Sequence, residues 1–193
     1  MARLHRWIGM NQLLTQALGQ ILVLIVIFKL AVYPAQAALT SNSYDGNIYA
    51  LYAGNGSLVP PRSSLAQAFR DQRPAVVVYY LDDDAASKQF AAVVSELQRL
   101  WNRNIELIPL VTDPLQNRAD TGPSDPAHYW RGVVPQVVVF DSQGKVIFDE
   151  QGAVSVDAIN AAVSQATGIA LPEGGTRSST ESFNELNSEV VSR

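Results

Sequence analysis

The stretch Gly132-Val133-Val134-Pro135-Gln136-Val137-Val138-Val139-Phe140-Asp141-Ser142-Gln143-Gly144-Lys145 decides how this chain folds. Val133 to Phe140 is rich in β-branched and aromatic residues, the composition of a strand. Asp141 to Gly144 reads as a hairpin turn, and Lys145 to Asp149 returns antiparallel before Gly152 ends the pair. Ser155 then suits the N-cap of a helix whose inward residues are Val156, Ile159, Ala162 and Val163, with Gly168 near its end.

Upstream, Ala75 to Leu81 (Ala-Val-Val-Val-Tyr-Tyr-Leu) is apolar without alternation. That pattern predicts a central strand buried on both faces, with Tyr79 and Tyr80 in the core. After Asp82-Asp83-Asp84, the residues Phe90, Val93, Val94, Leu97, Leu100 and Trp101 recur at spacings of three and four, so a long helix follows. Ile105 to Val111 is a second strand, and Pro109 places it at an edge or a bulge. Strand, helix and strand make a βαβ unit with parallel strands. Thr112 to Tyr129 is rich in Asp, Pro, Asn and Gly and reads as a long loop, of a length that is often functional.

The ends differ from this body. Residues 1–37 read as a signal peptide or a retained membrane anchor. Arg3, His5 and Arg6 precede the apolar run Ile21 to Phe28, and Ala35-Gln36-Ala37 offers small residues at the cleavage spacing. A longer, diluted apolar stretch from Trp7 to Tyr33 supports the anchor. Either way the basic end stays inside and the domain lies on the far side of a membrane. Residues 38–61 read as an N-terminal β extension: Asn47 to Tyr52 has strand composition, and Ser57 to Val59 offers a short partner strand. Ser63 or Ser64 caps a short helix with Leu65, Ala68 and Phe69 facing inward, opening a domain over 62–171. Residues 172–193 are an acidic tail that reads as flexible, with Phe183, Leu186 and Val190 at helical spacing.

Strand-helix-strand, then a hairpin, then a helix, resembles the core of the thioredoxin fold, a central mixed sheet flanked by helices. The resemblance covers roughly residues 75–167 and rests on two places. Gly132 to Lys145 is similar to the segment in which a cis-proline opens the third core strand, so the Val134–Pro135 bond is expected to be cis. Tyr79-Tyr80 leading to Asp84-Ala85-Ala86-Ser87-Lys88 resembles the junction that carries C-x-x-C-[KR], with Asp84 and Ser87 where the two cysteines fall. A carboxylate there can cap the helix but cannot exchange disulfides. The leader, the absence of cysteine and the acidic tail together resemble the cyanobacterial thylakoid membrane photosystem I accumulation factors. That resemblance implies a thylakoid protein that supports photosystem I accumulation without being an enzyme.

Composition narrows the function classes. The chain has 193 residues, 47% of them apolar and 17% charged, which is enough for a packed core. With no cysteine, disulfides, thiolate metal sites and cysteine nucleophiles are excluded. The two histidines, His5 and His128, exclude a multi-histidine metal centre in the domain. Arg3, Arg6 and Lys29 precede Ala37, so 11 of the 14 basic residues accompany all 18 acidic ones beyond it, and nucleic-acid binding is not expected. No cofactor, metal or catalytic residue is expected. The expected partner is a protein, photosystem I subunits or assembly intermediates on the narrower resemblance, met by Asp84, Ser87, Lys88, Trp130, Arg131, Val134 and Pro135. The location is then the thylakoid membrane or lumen, or otherwise the periplasm. Two other readings stay open: a structural subunit of a membrane complex, and an enzyme with non-thiol chemistry on Asp82, Asp83, Asp84 and Ser87.

Overall fold

The computed structural model describes residues 39–171, together with Gln20. The proposed cleavage site at Ala35–Ala37 and the tail from Pro172 lie outside the described residues. The helices are α1 (Ile48–Ala53), α2 (Leu65–Arg70), α3 (Ala85–Trp101) and α4 (Val156–Thr167). The strands are β1 (Ala75–Tyr80), β2 (Glu106–Val111), β3 (Gln136–Phe140) and β4 (Val146–Gln151), in the sheet order β2-β1-β3-β4. β2 runs parallel to β1, β3 antiparallel to β1, and β4 antiparallel to β3. This is the thioredoxin-like mixed sheet expected from the order of elements.

β1 is buried along its whole length because the sheet is covered on both sides. Alternation then sorts its side chains into two cores. Val76, Val78 and Tyr80 join Ile48, Tyr49, Leu97, Trp101, Ile159 and Val163 beneath α1, α3 and α4. Ala75, Val77 and Tyr79 join Leu65, Ile108, Val138 and Phe140 on the opposite face, under α2. Pro109 sits opposite Val78 in β2, which is an edge strand, so the missing N–H costs no inner ladder bond. The indole of Trp101 donates to Asn160 Oδ1 at 2.8 Å, which satisfies the one polar atom that the ring carries into the core.

Caps stand where the sequence places them. Ser64 accepts from the Gln67 amide, Asp84 from the Ser87 amide and Ser155 from the Ala158 amide, while Gly168 ends α4 in the left-handed region at φ 68°. The long loop contains two 3₁₀ turns, Asp113–Leu115 and Pro126–His128. The Val134–Pro135 bond is cis, as expected, and so is Val59–Pro60.

The N-terminal extension differs from its reading. Asn47 to Tyr52 is not a strand: Ile48–Ala53 is helical, and Ser57 to Val59 contributes to the 3₁₀ turn Gly56–Leu58 rather than to a partner strand. The cause is local capping joined to tertiary packing. Asn47 Oδ1 accepts from the amides of Tyr49 and Ala50, and Gly54 closes the helix in the left-handed region. Ile48 and Tyr49 then bury against the α3 face, where the Tyr49 and Tyr80 rings meet edge to face at 5.0 Å. β propensity over six residues does not outweigh those contacts.

Leu97 is fully buried at the centre of the larger core. Leu97→Ala is expected to lower the unfolding free energy by about 2–5 kcal/mol. A urea titration followed by tryptophan fluorescence measures the loss.

Candidate functional site at the C-terminal end of β1

The residues expected to meet a partner fall into two groups. The register pairs Tyr79 of β1 with Gln136 of β3, so the start of α3 and the cis-proline loop lie at the same end of the sheet. Each group has its own hydrogen-bond network.

The first group is covered. Asp84 Oδ2 accepts from the Ser87 amide at 2.7 Å, and Ser87 Oγ accepts from the Leu81 amide at 3.2 Å. Ser87 is 1% exposed and Lys88 is 0% exposed, so neither faces a partner as the sequence suggested. What covers them is a strap, residues 41–45, lying against the N-terminus of α3. Asn42 Oδ1 accepts from the Ala85 amide at 2.9 Å, and Lys88 Nζ donates to Ser41 O at 3.0 Å and Ser43 O at 2.6 Å. The same ammonium pairs with Asp45 Oδ2 at 2.5 Å, and the Tyr52 hydroxyl donates to that oxygen at 2.7 Å.

These contacts move the titrations of the strap. The Lys88 hydrogen bond, with help from Tyr52, holds the Asp45 carboxyl below its usual range. Burial and the neighbouring Asp45 carboxylate push the Tyr52 hydroxyl up to about 12. At the adjacent corner Asp82 Oδ1 accepts from the Ile48 amide, while burial raises its carboxyl above the ordinary value. In the acidic triplet, Asp84 therefore caps α3 and Asp82 holds the start of α1. Among the described residues no group of three or more histidines and carboxylates is placed to hold a metal ion.

The second group is open. Trp130 is half-buried, its ring 5.4 Å from that of Tyr79, whose hydroxyl donates to Pro126 O at 2.7 Å. Arg131 is exposed and ion-paired with Asp149. Gln136, which the sequence reading passed over, ties this corner together. It is fully buried; its Oε1 accepts from the Arg131 amide, and its Nε2 donates to Tyr129 O and to Asp149 Oδ1, both at 2.8 Å. On the other side the Gly152 amide donates to Pro135 O at 2.7 Å. Between those anchors, among the described residues, no hydrogen bond reaches the backbone of Gly132, Val133 or Val134. Val133 is 48% exposed, Val134 half-buried and Pro135 buried.

The long loop is fastened by one carboxylate. Asp125 accepts from Arg118, the Thr121 amide and hydroxyl, and the Ala127 amide. Burial raises its carboxyl, but the Ala127 amide, Arg118 and Thr121 together outweigh burial and hold it well below the carboxylate range. His128 is exposed, with Nδ1 3.3 Å from Asp120 Oδ1.

Two residues carried sequence signals that were available in principle. Lys88 stands one helical turn before Ala91, on the inward stripe that continues through Val94 and Leu97, where a cation has to find a buried partner. Gln136 is a polar residue opening a strand buried at every position. Asp45, the partner of Lys88, is 43 residues away and only the fold brings it near, whereas Asp149 reaches Gln136 across the β3–β4 hairpin.

The chain is 39% identical over 157 residues to the thylakoid membrane protein slr1796 of Synechocystis sp., an alignment covering 81% of this chain and 78% of that protein. The chain belongs to that protein's family. No protein-family profile matches the chain. Among solved structures, it is remotely similar to a chain from work on the thiol resolving mechanism of yeast mitochondrial 1-Cys peroxiredoxin, with a TM-score of 0.39 and 14% identity over 52% of this chain and 85% of that one. It is similarly remote from PA1234 of Pseudomonas aeruginosa, a protein of unknown function, with a TM-score of 0.34 and 16% identity over 63% and 73% of the two chains.

The arrangement has no thiol, and the hydroxyl of Ser87 is occupied by a backbone amide. Its chemistry is that of hydrogen-bond groups and apolar surface at the cis-proline loop. Two outcomes follow. Lys88→Met keeps most of the side-chain volume but removes the strap's cationic donor, and amide exchange over residues 41–45 should rise about tenfold or more while β1 is unchanged. For Asp125 the sign runs one way. A carboxyl with a depressed native pKa stabilises fully above its unfolded value of about 3.9, and that contribution fades as pH falls towards the native value. Protection factors in residues 112–129, with the intrinsic pH dependence of exchange removed, should therefore be high at about pH 5 and fall in acid, whereas Asp125→Asn should make them low at both.

Proposed function

We propose that this protein is a non-catalytic binding factor of a thylakoid membrane, and that it captures an extended peptide segment of another protein at the cis-proline loop. The observation that carries this reading is the unpaired backbone of Gly132, Val133 and Val134 beside cis-Pro135. Free main-chain N–H and C=O groups can bond an extended peptide, with main-chain bonds supplying affinity and neighbouring side chains the selectivity. Gln136 and the Arg131–Asp149 pair hold one end of the stretch, and the Gly152–Pro135 bond holds the other. The free groups are thus pre-positioned, which reduces the ordering cost of binding. Val133 and the rim of Trp130 supply apolar contact, and Trp and Arg are residue types that dominate binding hot spots.

The thylakoid membrane enters from the name of the Synechocystis relative. The assembly role, with photosystem I subunits or their assembly intermediates as the partners, rests on the resemblance to the accumulation factors. Support for a non-enzymatic role comes from the missing thiols and from the structural use of Asp84, Ser87 and Lys88 in capping and in holding the strap.

The test is affinity purification of the tagged full chain from detergent-solubilised thylakoid membranes. Val133→Lys alters an exposed side chain that belongs to neither core, and Pro135→Ala alters the cis-proline itself. Capture of photosystem I intermediates is expected from the wild type and lost with Val133→Lys. Unchanged capture by both variants would sink the proposal. Stoichiometric co-migration with the mature complex, in place of intermediates, would instead mark a structural subunit.

A further inference from the structure

A second surface lies away from the cis-proline loop. Two neighbouring cavities, of about 550 and about 310 Å³, share Ser57, Arg62, Gln98 and Asn102 and so form one groove between the 3₁₀ turn Gly56–Leu58 and the C-terminal half of α3. Arg62, Arg73, Arg99 and Arg103 line it, against Glu96 and Glu106 as its only carboxylates. Arg99 pairs with Glu96 and Arg73 with Glu106. The guanidinium groups of Arg62 and Arg103 are exposed, and no ion pair engages them among the described residues. The groove is therefore cationic on a domain that is otherwise acidic, which is the reverse of what uniform surface charge would place there.

We propose that this groove docks the chain's own C-terminal tail. The tail, residues 172–193, carries Glu173, Glu181, Glu185 and Glu189 against Arg177 and Arg193. Glu181, Glu185 and Glu189 recur every four residues, so one helical face would present all three. Reach is sufficient: α4 ends at Thr167 and Leu171 packs against the larger core, and residues 172–180 extended span about 30 Å, comparable to a small domain's diameter. The tether matters energetically. Exposed charge pairs are individually weak, but a segment on the same chain meets the groove at an effective concentration of about millimolar, so weak pairs suffice. Screening then makes docking sensitive to salt.

Two measurements on the full chain test this, and both must succeed. In the Arg62→Lys variant a carbodiimide joins the introduced amine to carboxylates in contact with it. The expected product is an intramolecular crosslink from position 62 to Glu181, Glu185 or Glu189, located by mass spectrometry and diminished at high salt. Lys145, which follows Gly144 where the hairpin turn meets Phe69, serves as the control amine and should yield none. In the Arg62→Glu, Arg103→Glu double variant, a glutamate-specific protease should cut the tail about fivefold faster than in the wild type at low salt. Absence of the crosslink, or equal cleavage rates, overturns the proposal. Crosslinks found only between molecules also overturn it and assign the groove to the tail of a second copy.

Discussion

Burial of β1 on both faces is the constraint on which the structure depends. A strand of six residues with no exposed position needs a partner strand on each edge and a layer on each face. β2 and β3 supply the edges, and the two cores supply the layers. α3 follows β1 directly and must cross back over the sheet to deliver β2 parallel, which aims its N-terminus at the C-terminal end of β1. The cis-proline loop arrives at the same end because β3 pairs antiparallel with β1 and begins there.

A helix N-terminus carries unpaired amides that favour an anion. Here two of the first-turn amides of α3 are bonded within the chain. Asn42 takes the Ala85 amide, Asp84 takes the Ser87 amide, and Lys88 draws the strap down over both. A buried ammonium is costly without partners, and the three carbonyl and carboxylate oxygens around Lys88 Nζ meet that requirement. In this cysteine-free chain the α3 terminus serves as the attachment point for residues 41–45. The cis-proline loop has not been closed in the same way, since Gln136 fastens its flanks and leaves Gly132 to Val134 unpaired among the described residues.

Much of the fold was legible in the sequence. The unalternating run of β1, the three-and-four spacing of α3, the hairpin turn and the caps Ser64, Asp84 and Ser155 are all set by residues close together in the chain. The absence of cysteine excluded thiol chemistry outright. These features need only local conformation and composition, whereas the cis Val134–Pro135 bond was expected from the resemblance of Gly132 to Lys145.

Tertiary structure decided the rest. Whether Ile48 to Ala53 is helix or strand turned on Asn47 and on the α3 face that receives Tyr49, because six residues carry too little propensity to settle the matter. Whether Lys88 is surface or interior turned on Asp45, and whether the loop before β3 is held open turned on Gln136 meeting Asp149. Lys88 is fixed by a carboxylate 43 residues away, and Gln136 by one across the β3–β4 hairpin. Periodicity reports which side of an element is apolar, whereas the satisfaction of a buried charge or amide depends on what the fold carries to it.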